Sequence, residues 1–199
     1  MATTLTPNGT ERTAPLDRRV RRTRQRIADA YLALRREPAG TRITVTQIAR
    51  LADINKTTFY QHYRDLNDLR RSLEDQLVKD FLADVAHPEY IVSDDQRGMY
   101  ELSRAFAKHG RTIFTLYARE QLPTFAGRLE RAFEQRVLDR RPDLHDDAER
   151  RLMLSFLIHG SFDTFFDHLH DEDIERTVAV LNNIRSCLVR GYEPLGPAR

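Results

Sequence analysis

Apolar side chains recur at helical spacing along almost the whole chain, and no stretch of any length alternates as a strand would. Ile27, Ala30, Tyr31 and Leu34 stand at i, i+3, i+4 and i+7 and predict a helix from about Arg18 to Glu37, ended by Pro38 and Gly40. Ile48, Ala49 and Ala52 mark a short second helix, and Phe59 and Tyr63 anchor a third over Lys56 to Tyr63. A fourth is expected from about Leu66 to Val85, stopped by His87-Pro88. Beyond it, Met99, Leu102, Ala105 and Phe106 define a helix over Arg97 to His109 that Gly110 should end. Ile113, Phe114 and Tyr117 define another over Arg111 to Glu120, and Phe125, Leu129, Phe133 and Val137 one over Pro123 to Arg140. Two long helices, Asp147 to His170 and Glu172 to Gly191, close the pattern. The fold class is therefore all-α. Residues 1–17, rich in Thr, Pro, Asn and Gly, have almost no apolar content and are expected to be a disordered tail.

The segment from Thr44 to Leu69 carries more information than its length suggests. Thr44 with Gln47 three residues on is a capping box. Asp53 breaks the second helix, and Asn55 can cap the third. That third helix is about two turns long, too short to be stable alone. It must be held through Phe59 and Tyr63, which leaves Lys56, Thr57, Thr58, Tyr60, Gln61 and His62 as an outer face of donors and acceptors. Two brief helices joined by a tight turn, the second polar outside, form a helix-turn-helix pattern. In that motif the second helix enters the DNA major groove. Asp65 followed by Asp68 caps the next helix.

These residues resemble a known family. Thr44-Val45 before Ile48-Ala49, then Ile54 through Tyr63, are similar to the DNA-binding domain of the TetR/AcrR bacterial transcriptional regulators. The wording of residues 52–63, ADINKTTFYQHY, is most like the subgroup of dihydroxyacetone kinase operon regulators. The specific match covers about residues 18 to 73, and the remainder agrees in length and helical character. Two departures stand out. Many members place a phosphate-contacting lysine where this chain has Leu66, with Arg64 as the nearby replacement charge. Asp53 occupies a turn position where glycine is common, which Asp tolerates because it can visit left-handed conformations. The resemblance implies a helix-turn-helix DNA-binding domain over residues 18–66 and a helical effector-binding and dimerisation body over 67–199.

Charge agrees with a polyanion partner at one end. Formal net charge is +2, but residues 1–71 hold 15 Lys or Arg against 7 Asp or Glu, and residues 72–199 hold 17 against 23. The first part is therefore +8 and the second −6. One cysteine, Cys187, excludes an intramolecular disulfide; on the stripe Leu181, Ile184, Cys187, Leu188 it reads as a small buried hydrophobe. No apolar run is long enough to span a membrane and the N-terminus lacks the apolar segment of a signal peptide, so the expected location is the cytoplasm.

On a duplex, Arg18, Arg19 and Arg22 are candidates for phosphate contact, with residues 18, 22 and 26 on one helical stripe. The Thr44 hydroxyl, at a helix N-terminus, can face a phosphate, while Thr46 and Gln47 reach toward a base edge or sugar. Thr57 and Gln61 are the candidates for base contact, since Gln bonds adenine in bidentate fashion and the Thr methyl meets that of thymine. Lys56, Tyr60 and His62 read as phosphate contacts that set register, with a partly buried packing role the alternative for Tyr60; Arg64 is a further candidate charge, and Thr58 a DNA-binding candidate on the same polar face.

Between Phe156 and Phe166 large side chains surround most of a helix, so burial on more than one side is expected. Either two copies form a four-helix interface, or this helix lies at the centre of a monomeric body. The resemblance favours a homodimer on a palindromic operator, acting as a repressor released by a small-molecule effector. Its subgroup also admits a protein coactivator and activation. Candidate effector lining is Phe106, Phe114, Tyr117, Phe125, Phe162 and Phe166, although aromatic residues at helical spacing equally build a core. No catalytic motif, cofactor or metal is called for. The rival reading is a metal-binding helical protein using His159, Asp163 and Asp167 at i, i+4 and i+8.

Overall fold

The computed structural model describes residues 13–37, 42–93, 95–117, 122–168 and 174–191. Among them are eight α-helices and two short 3-10 turns, with no strand. The chain divides into two compact units, Met1–Leu73 and Glu74–Arg199.

The first unit holds α1 (Thr13–Arg35), α2 (Val45–Leu51), α3 (Lys56–His62) and the start of α4 (Leu66–Ala83). Helix α1 begins at Thr13, so residues 13–17 of the expected tail are helical, while residues 1–12 lie outside the described residues. Pro15 does not oppose this, because the first helical turn has amide donors without intrahelical partners in any case. Helix α1 packs on α2 and α2 on α3, and Ile27, Ala30, Tyr31, Ile48, Ala49, Ala52, Phe59, Tyr63 and Leu69 are among the buried apolar side chains of this unit. The capping signals operate as expected. Thr44 Oγ1 accepts from the Gln47 amide and Gln47 Oε1 accepts from the Thr44 amide, opening α2. Asn55 Oδ1 accepts from the Thr58 amide at 2.6 Å, opening α3. Asp65 and Asp68 open α4: the Asp68 amide donates to Asp65 Oδ1, and Asp68 Oδ2 accepts from the Arg64 amide.

The second unit holds the rest of α4, α5 (Arg97–Leu116), α6 (Leu122–Arg140), α7 (Ala148–His168) and α8 (Ile174–Gly191). Gly110 does not end a helix as its residue type suggested; α5 runs through it without a break. The buried stripe Met99, Leu102, Phe106, Gly110, Ile113 and Leu116 continues across that position, and the packing of one long face outweighs the weak helix propensity of a single glycine. The interior is aromatic. Phe106 stacks on Phe165 at 4.6 Å between ring centroids and meets Phe162 edge-on at 5.1 Å, while Phe162 also touches Phe133 and Phe81.

A 3-10 turn, Pro88–Val92, buries Pro88, Ile91 and Val92 and packs against α5, α6, α7 and α8. Helix α8 is tied to it by Arg185, only 1% exposed, whose guanidinium donates to the backbone carbonyls of Ser93 and Tyr90. Gly98 marks the closest approach between this turn and α5: a Cβ there would stand 2.8 Å from the Tyr90 carbonyl carbon. Gly98→Ala should therefore force backbone apart and destabilise the protein by about 1–3 kcal/mol. Urea denaturation would show this as a lowered midpoint with an unchanged slope, and an unaltered midpoint would mean that the turn yields freely.

Candidate nucleic-acid interface

Helix α3 is positioned from one side only. Phe59 is fully buried and Tyr63 is 5% exposed, so the opposite face of the helix looks outward. There Lys56, Thr57 and Gln61 are exposed and Tyr60 is 56% exposed, its ring set edge-on to Phe59 at 5.5 Å. Thr57 and Gln61 are one helical turn apart, as are Lys56 and Tyr60, so two parallel polar rows run along a seven-residue rod. Thr58 and His62 are half-buried at the flanks. Burial pulls the His62 imidazole below its usual pKa and the Arg24 guanidinium adds to this, both favouring its neutral form. Burial likewise pushes the Tyr63 phenol up.

Around this rod the other candidates divide. Arg18, Arg19, Arg22, Thr44, Thr46 and Arg64 have exposed side chains. Gln47 is half-buried and its carbonyl oxygen is taken up by the Thr44 amide and hydroxyl, which leaves its NH2 group to offer to a ligand. Arg64 leans toward Asp68 at 3.6 Å while staying 85% exposed.

One expectation changes. Arg26, placed by spacing on the phosphate stripe with positions 18 and 22, is turned back onto Asp53. Asp53 has φ 49°, the left-handed conformation that its replacement of glycine implied. The turn is closed by the Asp53 amide donating to Arg50 O at 3.2 Å and the Ile54 amide to Ala49 O at 2.9 Å. The Arg26 partnership spans 27 residues and has no signal in local sequence.

Two solved structures share this arrangement of helices. A TetR-like transcriptional regulator from Rhodococcus sp. RHA1 superposes with a TM-score of 0.58 at 16% identity, covering 85% of this chain and 97% of that one. A TetR transcriptional regulator from Streptococcus agalactiae 2603V gives 0.56 at 20% identity, covering 86% and 98%. The fold is TetR-like. No family model matches the sequence. A curated relative, described as an uncharacterized HTH-type transcriptional regulator, YxbF, of Bacillus subtilis (strain 168), is 27% identical over 158 residues, which is 76% of this chain. The match spans 40% of that relative's length.

In the TetR-like body, Phe106, Tyr117, Phe125, Phe162 and Phe166, all candidates for effector contact, pack ring against ring. Phe106, Phe125 and Phe162 have no exposure, and Tyr117 stacks on Phe125 at 4.6 Å. Phe166, half-buried, meets Phe106 at 5.4 Å and Phe125 at 6.3 Å; Phe114 is half-buried. Rings touching rings make this a filled interior, and a ligand entering it has to displace them.

Helix α8 departs from its expected burial. Leu181 is buried and Leu188 half-buried, but Ile184 is 48% exposed and Cys187 is exposed. Each step of three residues falls about 60° short of a full turn at about 100° per residue, so positions 184 and 187 rotate progressively off the core face. The metal reading finds a different arrangement from its spacing. His159 turns to Glu130, with 3.2 Å between Nε2 and Oε2, and its Nδ1 faces the Ser155 carbonyl at 2.8 Å. Burial raises the Glu130 carboxyl above its usual range, opposed by His159. Among the described residues no three His, Cys, Asp or Glu side chains converge as metal ligands. No helix among them is long and apolar enough to cross a membrane.

Proposed function

We propose that the chain is a sequence-specific DNA-binding transcriptional regulator, acting as a homodimeric repressor on a palindromic operator and released by a small-molecule effector. The observation that carries this is the outward polar face of α3, held on Phe59 and Tyr63 in a TetR-like fold. Thr57 and Gln61 on that face read base edges, while Lys56, Thr58, Tyr60 and His62 contact phosphates and fix register. Arg18, Arg19, Arg22, Thr44 and Arg64 add backbone contacts, and Thr46 and Gln47 touch a base edge or sugar. The electrostatic share of binding then falls steeply with salt as counterions are released.

Support for the homodimer comes from exposed apolar side chains. Of seven large hydrophobic residues exposed among the described ones, four lie on the last two helices: Leu152 at 73%, Phe156 at 63%, Val180 at 49% and Ile184 at 48%. A two-fold pairing of α7 and α8 covers them and presents two copies of α3 to successive major-groove faces, about 34–36 Å apart or somewhat wider. The effector is proposed to act from within the body, at the Phe106, Phe114, Tyr117, Phe125, Phe162 and Phe166 cluster, by binding one arrangement of the dimer better than the other.

Footprinting of the purified protein on its own upstream control region tests the reading. Protection of two symmetry-related half-sites is expected, and an isolated asymmetric half-site bound by monomer would count decisively against it. Gln61→Ala should relax preference at one base position and cost about 1–3 kcal/mol on the cognate site. If competition binding with single-base variants shows an unchanged preference, Gln61 is not a reading residue.

A further inference from the structure

Arg24 and Arg26 of α1 are engaged by the helix-turn-helix itself, one at each end of α3. At the entry, Arg26 Nη2 donates to both the backbone carbonyl and Oδ2 of Asp53, each at 2.9 Å. Asp53 is the one non-glycine residue with positive φ among those described, and it lies two positions before the Asn55 cap of α3. At the exit, Arg24 Cζ stands 5.7 Å from the ring centroid of Tyr63, the buried C-cap of the same helix. A seven-residue helix does not hold its own direction, so whatever fixes its ends fixes its aim.

We propose that Arg24 and Arg26 are positioning residues that clamp the recognition helix at its exit and entry, so that discrimination between DNA sequences depends on them and phosphate affinity does not. The inference rests on the DNA-binding reading above. The two arms of Arg26 are unequal. The Asp53 carboxylate is 98% exposed, so its ion pair is screened and contributes little. The bond to the Asp53 carbonyl orients the peptide plane that leaves the left-handed turn, and it supplies that carbonyl with a charged donor. Glycine takes that conformation without assistance, whereas aspartate does so against the contact of its own Cβ. Arginine at position 26 therefore makes a non-glycine turn serviceable. The neighbouring Arg18, Arg19, Arg21 and Arg22 remain exposed and supply the charge for the phosphates.

The test uses the full chain, a duplex of its own upstream control region and a scrambled duplex of equal length. Fluorescence anisotropy over a salt series reads affinity, preference and salt slope, while hydrogen exchange without DNA reads the amides of residues 53–63. Arg26→Ala should lower the preference for the upstream duplex about tenfold and speed exchange across the turn and α3, with the salt slope unchanged. Arg24→Ala should act in the same direction, with faster exchange concentrated near Tyr63. In an Asp53→Gly background, Arg26→Ala should change the preference less than about threefold, because glycine holds the turn unaided. Equal losses on both duplexes with a slope reduced by about one would identify the arginines as phosphate contacts and overturn the clamp. Unchanged preference and exchange would overturn it as well. A wild-type protein with no preference at all brings down the DNA-binding reading itself, and with it any role of the clamp in recognition; that failure is visible before a variant is measured.

Discussion

Phe156→Asp should convert the protein to monomers and weaken binding to a two-site operator by about 10²–10⁴-fold, the range over which linked binding of two heads exceeds that of one. Phe156 and Leu152 are one turn apart on α7 and among the most exposed apolar side chains described, at 63% and 73%. Covering a side chain of this size removes water at a gain of about 1.5–3 kcal/mol, and two-fold symmetry counts every contact twice. An aspartate there instead places an unpaired charge in a surface otherwise being dried. Sedimentation velocity reads the mass, and anisotropy on full and half operators reads the avidity. A variant that stays dimeric and binds both duplexes as before would remove α7 from the proposed interface. Cys187 offers a control, since it is exposed on α8 and its labelling should be slower in the dimer than in the Phe156→Asp monomer.

Phe162→Ala should cost about 3–5 kcal/mol of folding stability, the usual range for truncating a fully buried aromatic residue. The ring has no exposure and joins α4, α5 and α6 through Phe81 at 6.0 Å, Phe106 at 5.1 Å and Phe133 at 5.5 Å. Deleting it leaves a cavity between four helices that can collapse only in part. Thermal and urea denaturation of the ligand-free protein measure the loss. A change below about 1 kcal/mol would mean that the ring borders empty space. Phe162 would then be a wall of the effector site more than a support of the core. The same measurement on Phe166→Ala, whose ring is half-buried, should show a smaller loss.

The helix-turn-helix was open to reading from the residues alone because its signals are local. A hydroxyl that reaches an amide three residues ahead depends only on the chain between them. The caps at Thr44, Asn55 and Asp65 are therefore present as their order implies. The same holds for Phe59 and Tyr63, one turn apart on a helix too short to bury anything else. The left-handed turn at Asp53 was implied by the family resemblance, in which glycine is common at that position, and Asp can adopt it.

Contacts between distant residues were closed to that reading. Nothing near Arg26 announces a partner 27 residues on, so spacing alone placed it on a phosphate stripe and gave no sign of its pairing with Asp53. Gly110 looked like a helix end until the neighbouring helices buried the face on which it lies. The turn Pro88–Val92 and the buried Arg185 that grips it depend on four helices meeting at one point. Periodicity also could not say which sides of α7 and α8 the core would take. Order along the chain settles what a residue does to its neighbours within a turn, through bonds of fixed reach. Which apolar face is covered, which charge is paired and which ring is enclosed are settled by whatever arrives from elsewhere in space, and burial exists only once those partners have met.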